Sequence, residues 1–203
     1  MRKEEKTELT KSKIYAAAIR EFGTKGYAAG SINHICRSGI NKGLVYHNFR
    51  DKDALYLECV KKSCDDLVSF VNENMKSPCF VEYMSLRMKF FTEQEQEASL
   101  FLEALTSPPA HLEEQIQVIC GKFEELNKAV FEKELEKIEL RSSVTRKEAL
   151  DYFSEVQKLY NFSFAKKSHT DLEPRERVAL HEKNIKKIFN LMLYGIAEGG
   201  NEE

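Results

Sequence analysis

SINHICRSGINKGLVYHNFRDKD, residues 31–53, reads as two short helices separated by a glycine turn and followed by the start of a third helix. Ser31 is placed to cap the first helix, in which Ile32, Ile35 and Cys36 share an inward face and Asn33, His34 and Arg37 point outward. Gly39 supplies the turn and Ile40 anchors it to a core. Asn41 opens a second short helix, KGLVYHNF, and Asp51 opens the next. Two short helices joined in this way hold one exposed helix at a fixed angle, the geometry that enters a DNA major groove.

Upstream, residues 7–25 form an amphipathic helix burying Ile14, Ala17, Ala18 and Phe22. Gly26 follows where a left-handed cap is wanted, and Tyr27 returns the chain to the small core. Downstream of Asp51, Leu55, Cys59, Val60, Cys64, Leu67, Val68 and Val71 keep helical spacing to about residue 75. Ser77-Pro78 and Ser107-Pro108-Pro109 then break the chain around two Phe- and Met-rich helices. A charged helix is expected over 111–140, a turn at 143–146, and helices over 147–166 and 174–197. No stretch alternates with a period of two, so the fold class is all-α.

Charge is unevenly distributed. The 203 residues carry a net −2, but residues 1–50 hold ten basic and four acidic side chains, a net +6, which leaves −8 for the remainder. A basic first quarter on an acidic body fits one module for a polyanion and one that avoids it. Hydrophobic residues make up 42% and charged residues 32%, and no apolar run approaches the roughly 20 residues of a membrane span. The charged N-terminus lacks the apolar stretch of a signal peptide, so a cytoplasmic location without membrane contact is expected. Five scattered cysteines show no metal-ligand or disulfide spacing and read as small hydrophobes, and the histidines are too dispersed for a metal cluster. No nucleophile elbow, phosphate loop or HExxH motif occurs. Neither enzyme activity, metal nor cofactor is expected.

Over residues 10–58 the chain resembles the DNA-binding domain of TetR-family transcriptional regulators. The resemblance rests on IYAAAIREFGTKGY and on Ser31, Ile32, Ile35, Gly39, Ile40, Lys42, Gly43, Tyr46, Phe49, Lys52 and Leu55, in order and without a gap. It implies a DNA-binding domain over 1–53 and an all-helical effector-binding and dimerisation domain over 54–203. It also implies DNA contact by individual residues. Ser31 and Arg37 would meet the backbone, Lys42 a phosphate or base edge, and Gly43 would allow close approach. Leu44, where the family often has Thr or Ala, could offer only apolar contact, such as to a thymine methyl. Tyr46, His47 and Lys52 would meet phosphates, with Asn41 and Asn48 beside them.

The function implied is that of a ligand-responsive regulator, a repressor, which binds a near-palindromic operator as a homodimer and is released by a small, largely apolar effector. The alternative is a helical interaction adaptor that does not bind DNA. Phe80, Tyr83, Met84, Phe90, Phe91, Phe101, Leu102 and Phe123 are candidate effector-pocket residues. The broad stripe of the last two helices, Phe153, Val156, Tyr160, Val178, His181, Ile185, Ile188, Phe189, Met192 and Ile196, is the candidate dimer interface. On that reading, charge at Ile185 or Met192 separates the protomers.

Overall fold

The computed structural model describes residues 3–77, 79–167, 169 and 171–195, so Ile196 lies outside the described residues. These residues form ten α-helices and one 3-10 turn, with no strand among them. The first four helices are α1 (Lys3–Ala29), α2 (Ile32–Cys36), α3 (Lys42–Asn48) and α4 (Lys52–Asn74). They are followed by α5 (Phe80–Glu93), α6 (Glu95–Thr106), the 3-10 turn Ala110–Leu112, α7 (Glu113–Ile119) and α8 (Gly121–Leu135). The chain ends in α9 (Arg146–Lys166) and α10 (Pro174–Tyr194). No helix among the described residues is long and apolar enough to cross a membrane.

Local chemistry accounts for most of the boundaries. α1 bends at Gly26, whose φ of 74° suits a residue without Cβ, and one further turn closes with the Gly30 N–H on the Gly26 carbonyl. Asn41 and Asp51 cap α3 and α4 as expected, accepting from the Gly43 and Ala54 amides at 2.7 and 2.8 Å. α9 starts in a reciprocal capping box between Thr145 and Glu148. α10 starts with Pro174 in its first turn and stops before Gly195 at φ 80°.

Two expectations are corrected. Ser31 occupies the N-cap position of α2, but its hydroxyl makes no cap bond; its amide instead donates to Glu21 Oε1 at 3.2 Å. The single helix expected over 111–140 is broken. It begins as a 3-10 turn, is interrupted between α7 and α8 at Cys120 (φ −80°, ψ 0°), and ends at Leu135. The cause is tertiary. Cys120 is buried with its thiol 3.2 Å from that of Cys64 on α4, and the break lets both α7 and α8 pack against α4. Gly121, with its low helix propensity, makes the interruption cheap.

One hydrophobic core runs from Ile14 on α1 to Phe189 on α10. α4 crosses the expected domain boundary at 53/54 as one unbroken helix. α1 lies along α6, and the seam is tight at two glycines. A Cβ on Gly23 would fall 2.9 Å from the Gln96 Cα, and one on Gly26 would fall 2.6 Å from Glu103 Oε1.

Candidate nucleic-acid interface

The helix-turn-helix is held from below. Ile32 and Ile35 of α2, Val45 of α3 and Phe49 after it are buried with Ile14, Ala18 and Phe22 of α1. Phe49 meets the Tyr15 ring edge-on at 5.5 Å. Gly39, at φ 86°, makes the turn. With Val45 inward, the other face of α3 presents Lys42, Gly43, Leu44, Tyr46 and His47 to solvent. Leu44 is 44% and Tyr46 48% exposed. Lys42 Nζ stands 5.9 Å from the Tyr46 ring centre, so a cation and a hydroxyl-bearing ring lie side by side.

The flanking candidates sit around this face in different states. Arg37 and Asn41 are exposed and Ser31 is half-buried. Asn48 closes the end of α3, donating from Nδ2 to the Leu44 carbonyl at 2.7 Å. Lys52 lies over the Tyr27 ring at 4.2 Å, so its ammonium is positioned by an aromatic face rather than left free.

Residues beyond this face also fix its position, and the sequence pattern did not reveal them. Tyr27, expected only to return the chain to the core, is a junction. Its amide donates to both Glu103 oxygens on α6, at 2.8 and 3.1 Å, and its hydroxyl donates to Asp53 Oδ1. His111 Nε2 lies 3.1 Å from Asp53 Oδ2 and 3.3 Å from the same hydroxyl. Tyr27 and Glu103 are 76 positions apart, so no local period could pair them. Within the small module, Glu21 accepts from Lys25 at 3.1 Å and from the Ser31 amide, with His34 Nδ1 3.1 Å away. That arrangement ties down the start of α2.

Glu103 gives this junction a pH signature. Burial pushes its carboxyl up, and the Tyr27 amide and Tyr56 hydroxyl pull it back without cancelling the rise. The folded state therefore favours the protonated form. The stability it contributes is complete below the ordinary carboxylate range and is lost as pH rises through the elevated value. Glu103→Gln, which keeps an acceptor for the Tyr27 amide, should flatten that decline in urea unfolding measured between about pH 4 and 7. An unaltered slope would mean that Glu103 ionises as freely in the fold as in the unfolded chain.

The structure places the remaining candidates differently from the exposed face of α3. Phe80, Tyr83, Met84, Phe90 and Phe91 of α5, Phe101 and Leu102 of α6 and Phe123 of α8 are all buried. Several pack ring to ring, with Phe101 and Phe123 centred 4.8 Å apart. Leu102 and Phe123 each border a surface cleft. Of the stripe assigned to a partner, Phe153, Val178, His181, Ile185 and Phe189 are corrected. They are buried inside their own protomer and present no surface to a second copy. Val156, Tyr160, Ile188 and Met192 are half-buried at its edge. The apolar side chains that α9 and α10 turn to solvent are Tyr152, Leu159, Phe162, Leu191 and Tyr194.

Comparison with known proteins agrees with this geometry. Residues 14–59 match the model for bacterial regulatory proteins of the tetR family. The HTH-type transcriptional regulator UidR of Escherichia coli K12 is 27% identical over 105 residues, covering 49% of this chain and 54% of UidR. The chain thus matches about half the length of that curated relative. Among solved structures, the transcriptional regulator FadR of Bacillus subtilis, in complex with stearoyl-CoA, superposes with a TM-score of 0.66 at 14% identity, covering 92% of this chain and 100% of FadR. PfmR, a TetR-family regulator of Thermus thermophilus, gives a TM-score of 0.58 at 17% identity over 93% of this chain and 98% of PfmR. Through residues 14–59, therefore, the chain is similar to bacterial regulatory proteins of the tetR family.

Proposed function

We propose that this protein is a DNA-binding transcriptional regulator, a repressor, that binds a near-palindromic operator as a homodimer and is released by a small effector in its C-terminal helices. The observation that carries the reading is the solvent face of α3. Lys42, Leu44, Tyr46 and His47 are uncovered on a helix whose opposite side, through Val45, is locked into the core. On this face an apolar side chain, a hydroxyl-bearing ring, a cation and an imidazole stand together, the mix of groups that base edges and phosphates take up.

The exposed apolar residues of α9 and α10 support a second copy docking there, because a twofold pair puts its recognition helices about one DNA turn apart, roughly 34–36 Å. The likeness in fold to FadR, determined with stearoyl-CoA, supports a small-molecule effector for these helices. Effector binding would act by favouring one spacing of the recognition helices over another, with a size set by its differential affinity.

The test is a gel shift on genomic and random fragments across a salt series. Lys52→Ala should lower the salt slope by about one unit. Tyr46→Phe should weaken binding roughly tenfold on every sequence, since a hydrogen bond to a charged group is worth about 1.4 kcal/mol or more. Substitutions of Leu44 should instead change the ranking of sites, because base edges carry sequence information and phosphates do not. Absence of any DNA binding at low salt would remove this reading in favour of an interaction adaptor.

A further inference from the structure

Arg87 of α5 is among the largest fully buried side chains of the protein. Its guanidinium lies 5.4, 5.8 and 5.1 Å from the ring centres of Tyr83, Phe91 and Phe123. Nη2 donates to Glu182 Oε1 on α10 at 2.7 Å, whereas Nη1 only reaches the Tyr83 hydroxyl and Asn127 Oδ1 at 3.4 and 3.5 Å. Buried ion pairs repay their desolvation only when the remaining donors and acceptors are also satisfied. Here they are not. Among the described residues, Arg87 Nε, Asn127 Nδ2 and Glu182 Oε2 have no hydrogen-bond partner. These atoms belong to three side chains from three helices, each more than nine-tenths buried.

The cluster leads toward solvent. Glu182 Oε1 lies 3.2 Å from His181 Nδ1, and His181 Nε2 lies 3.0 Å from Asn161 Oδ1. Asn161 forms part of the wall of a cleft of about 320 Å³ bounded by α6, α7, α8 and α9. An adjoining small cleft shares Asn161, Leu105 and Lys158 and reaches Phe123, one of the rings around Arg87. Phe123 thus borders the cleft and also stands 5.1 Å from the guanidinium.

We propose that the effector of this bundle is a neutral molecule with an apolar or aromatic body and a hydroxyl or carboxamide head, and that Arg87, Asn127 and Glu182 bind the head. The inference rests on reading the C-terminal helices as effector-binding. The head must accept from Arg87 Nε and Asn127 Nδ2 and donate to Glu182 Oε2. A hydroxyl or a carboxamide does both, an ether or ketone only accepts, and an ammonium only donates. Charge argues the same way. Burial pushes the Glu182 carboxyl up, but the Arg87 guanidinium and the His181 contact more than offset this and hold it low. Arg87 is thus already matched, and a ligand carboxylate would stand beside Glu182 without a cation of its own. The rings around the cluster suit an apolar body, and the cleft volume falls in the range of small-molecule sites.

The experiment is titration calorimetry of the full chain with four probes that share one phenylbutyl skeleton: 4-phenylbutanamide, 4-phenylbutanol, 4-phenylbutanoate and butylbenzene. The amide and the alcohol should bind at least tenfold more tightly than the other two. Arg87→Met with Glu182→Met, a swap of a buried pair for apolar groups that folds commonly tolerate, should erase that preference and improve butylbenzene binding. Asn127→Leu keeps the ion pair and should weaken the amide at least threefold, which decides the matter if the double variant does not fold. The inference is overturned if no probe binds, if the carboxylate is preferred, or if the double variant keeps its amide preference. A gel shift without probe separates the two readings: intact DNA binding with no probe bound sinks this inference alone, whereas absent DNA binding sinks the regulator reading.

Discussion

Ile185→Glu is expected to unfold this protein rather than to yield a folded monomer. Ile185 has no solvent exposure and belongs to the core together with Phe189 and Phe153 of the paired helix α9. A carboxylate there would be buried without a partner, which costs on the order of 5 kcal/mol. That is comparable with the whole stability of a typical domain, roughly 5–15 kcal/mol. The informative comparison is a glutamate at Leu159, 66% exposed on α9, combined with one at Leu191 on α10. That pair should leave the helical circular-dichroism signal and melting temperature nearly intact while sedimentation shows dissociation of the proposed dimer. A folded, monomeric Ile185→Glu would mean that α10 does not bury this face in its own protomer. A dimer that survives both outward glutamates would move the interface away from α9 and α10.

Gly23→Ala should destabilise the fold by roughly 2–3 kcal/mol, the cost of overpacking a close contact. The sign is the diagnostic part. In an ordinary helix interior the same change stabilises by about 1 kcal/mol, because alanine has the higher helix propensity and restricts the unfolded chain. At Gly23 the new Cβ would meet the Gln96 backbone, its carbonyl oxygen closest of all, and backbone cannot rotate away. The only relief is for α1 to lift from α6, which would also loosen the Tyr27–Glu103 junction that holds the small module on the bundle. Urea unfolding measures the first effect, and faster amide exchange at residue 27 would report the second. A variant more stable than the parent would mean that α1 and α6 are further apart than described.

The helices, the helix-turn-helix and its exposed residues were legible in the sequence because each depends on neighbours a few positions away. Gly26 and Gly39 stand at positive φ where the pattern called for turns, and Asn41 and Asp51 cap where the apolar spacing starts. Val45 faces inward and Leu44 outward because helical period assigns adjacent positions to different sides. What a period cannot do is say which partner a stripe meets. The stripe of α9 and α10 is wide, and packing alone determines that Phe153, Ile185 and Phe189 turn into the protomer while Tyr152, Leu159 and Leu191 remain outside.

The interruption at Cys120, in a segment whose local pattern reads as one continuous helix, arises from contact with α4. Tyr27 acquires its role from Glu103 and His111, far along the chain. Arg87 stands between Met84 and Phe90 in sequence, where no local pattern singles it out, and becomes the buried polar centre because Glu182 on α10 reaches it across the bundle. The sequence by itself thus determined the helical class and the exposed second helix of the helix-turn-helix, through local spacing and capping chemistry. Tertiary structure alone decided how the small module is fastened to the bundle, which apolar face stays open and where buried charge collects, because those properties are set by contacts between residues that no local pattern links.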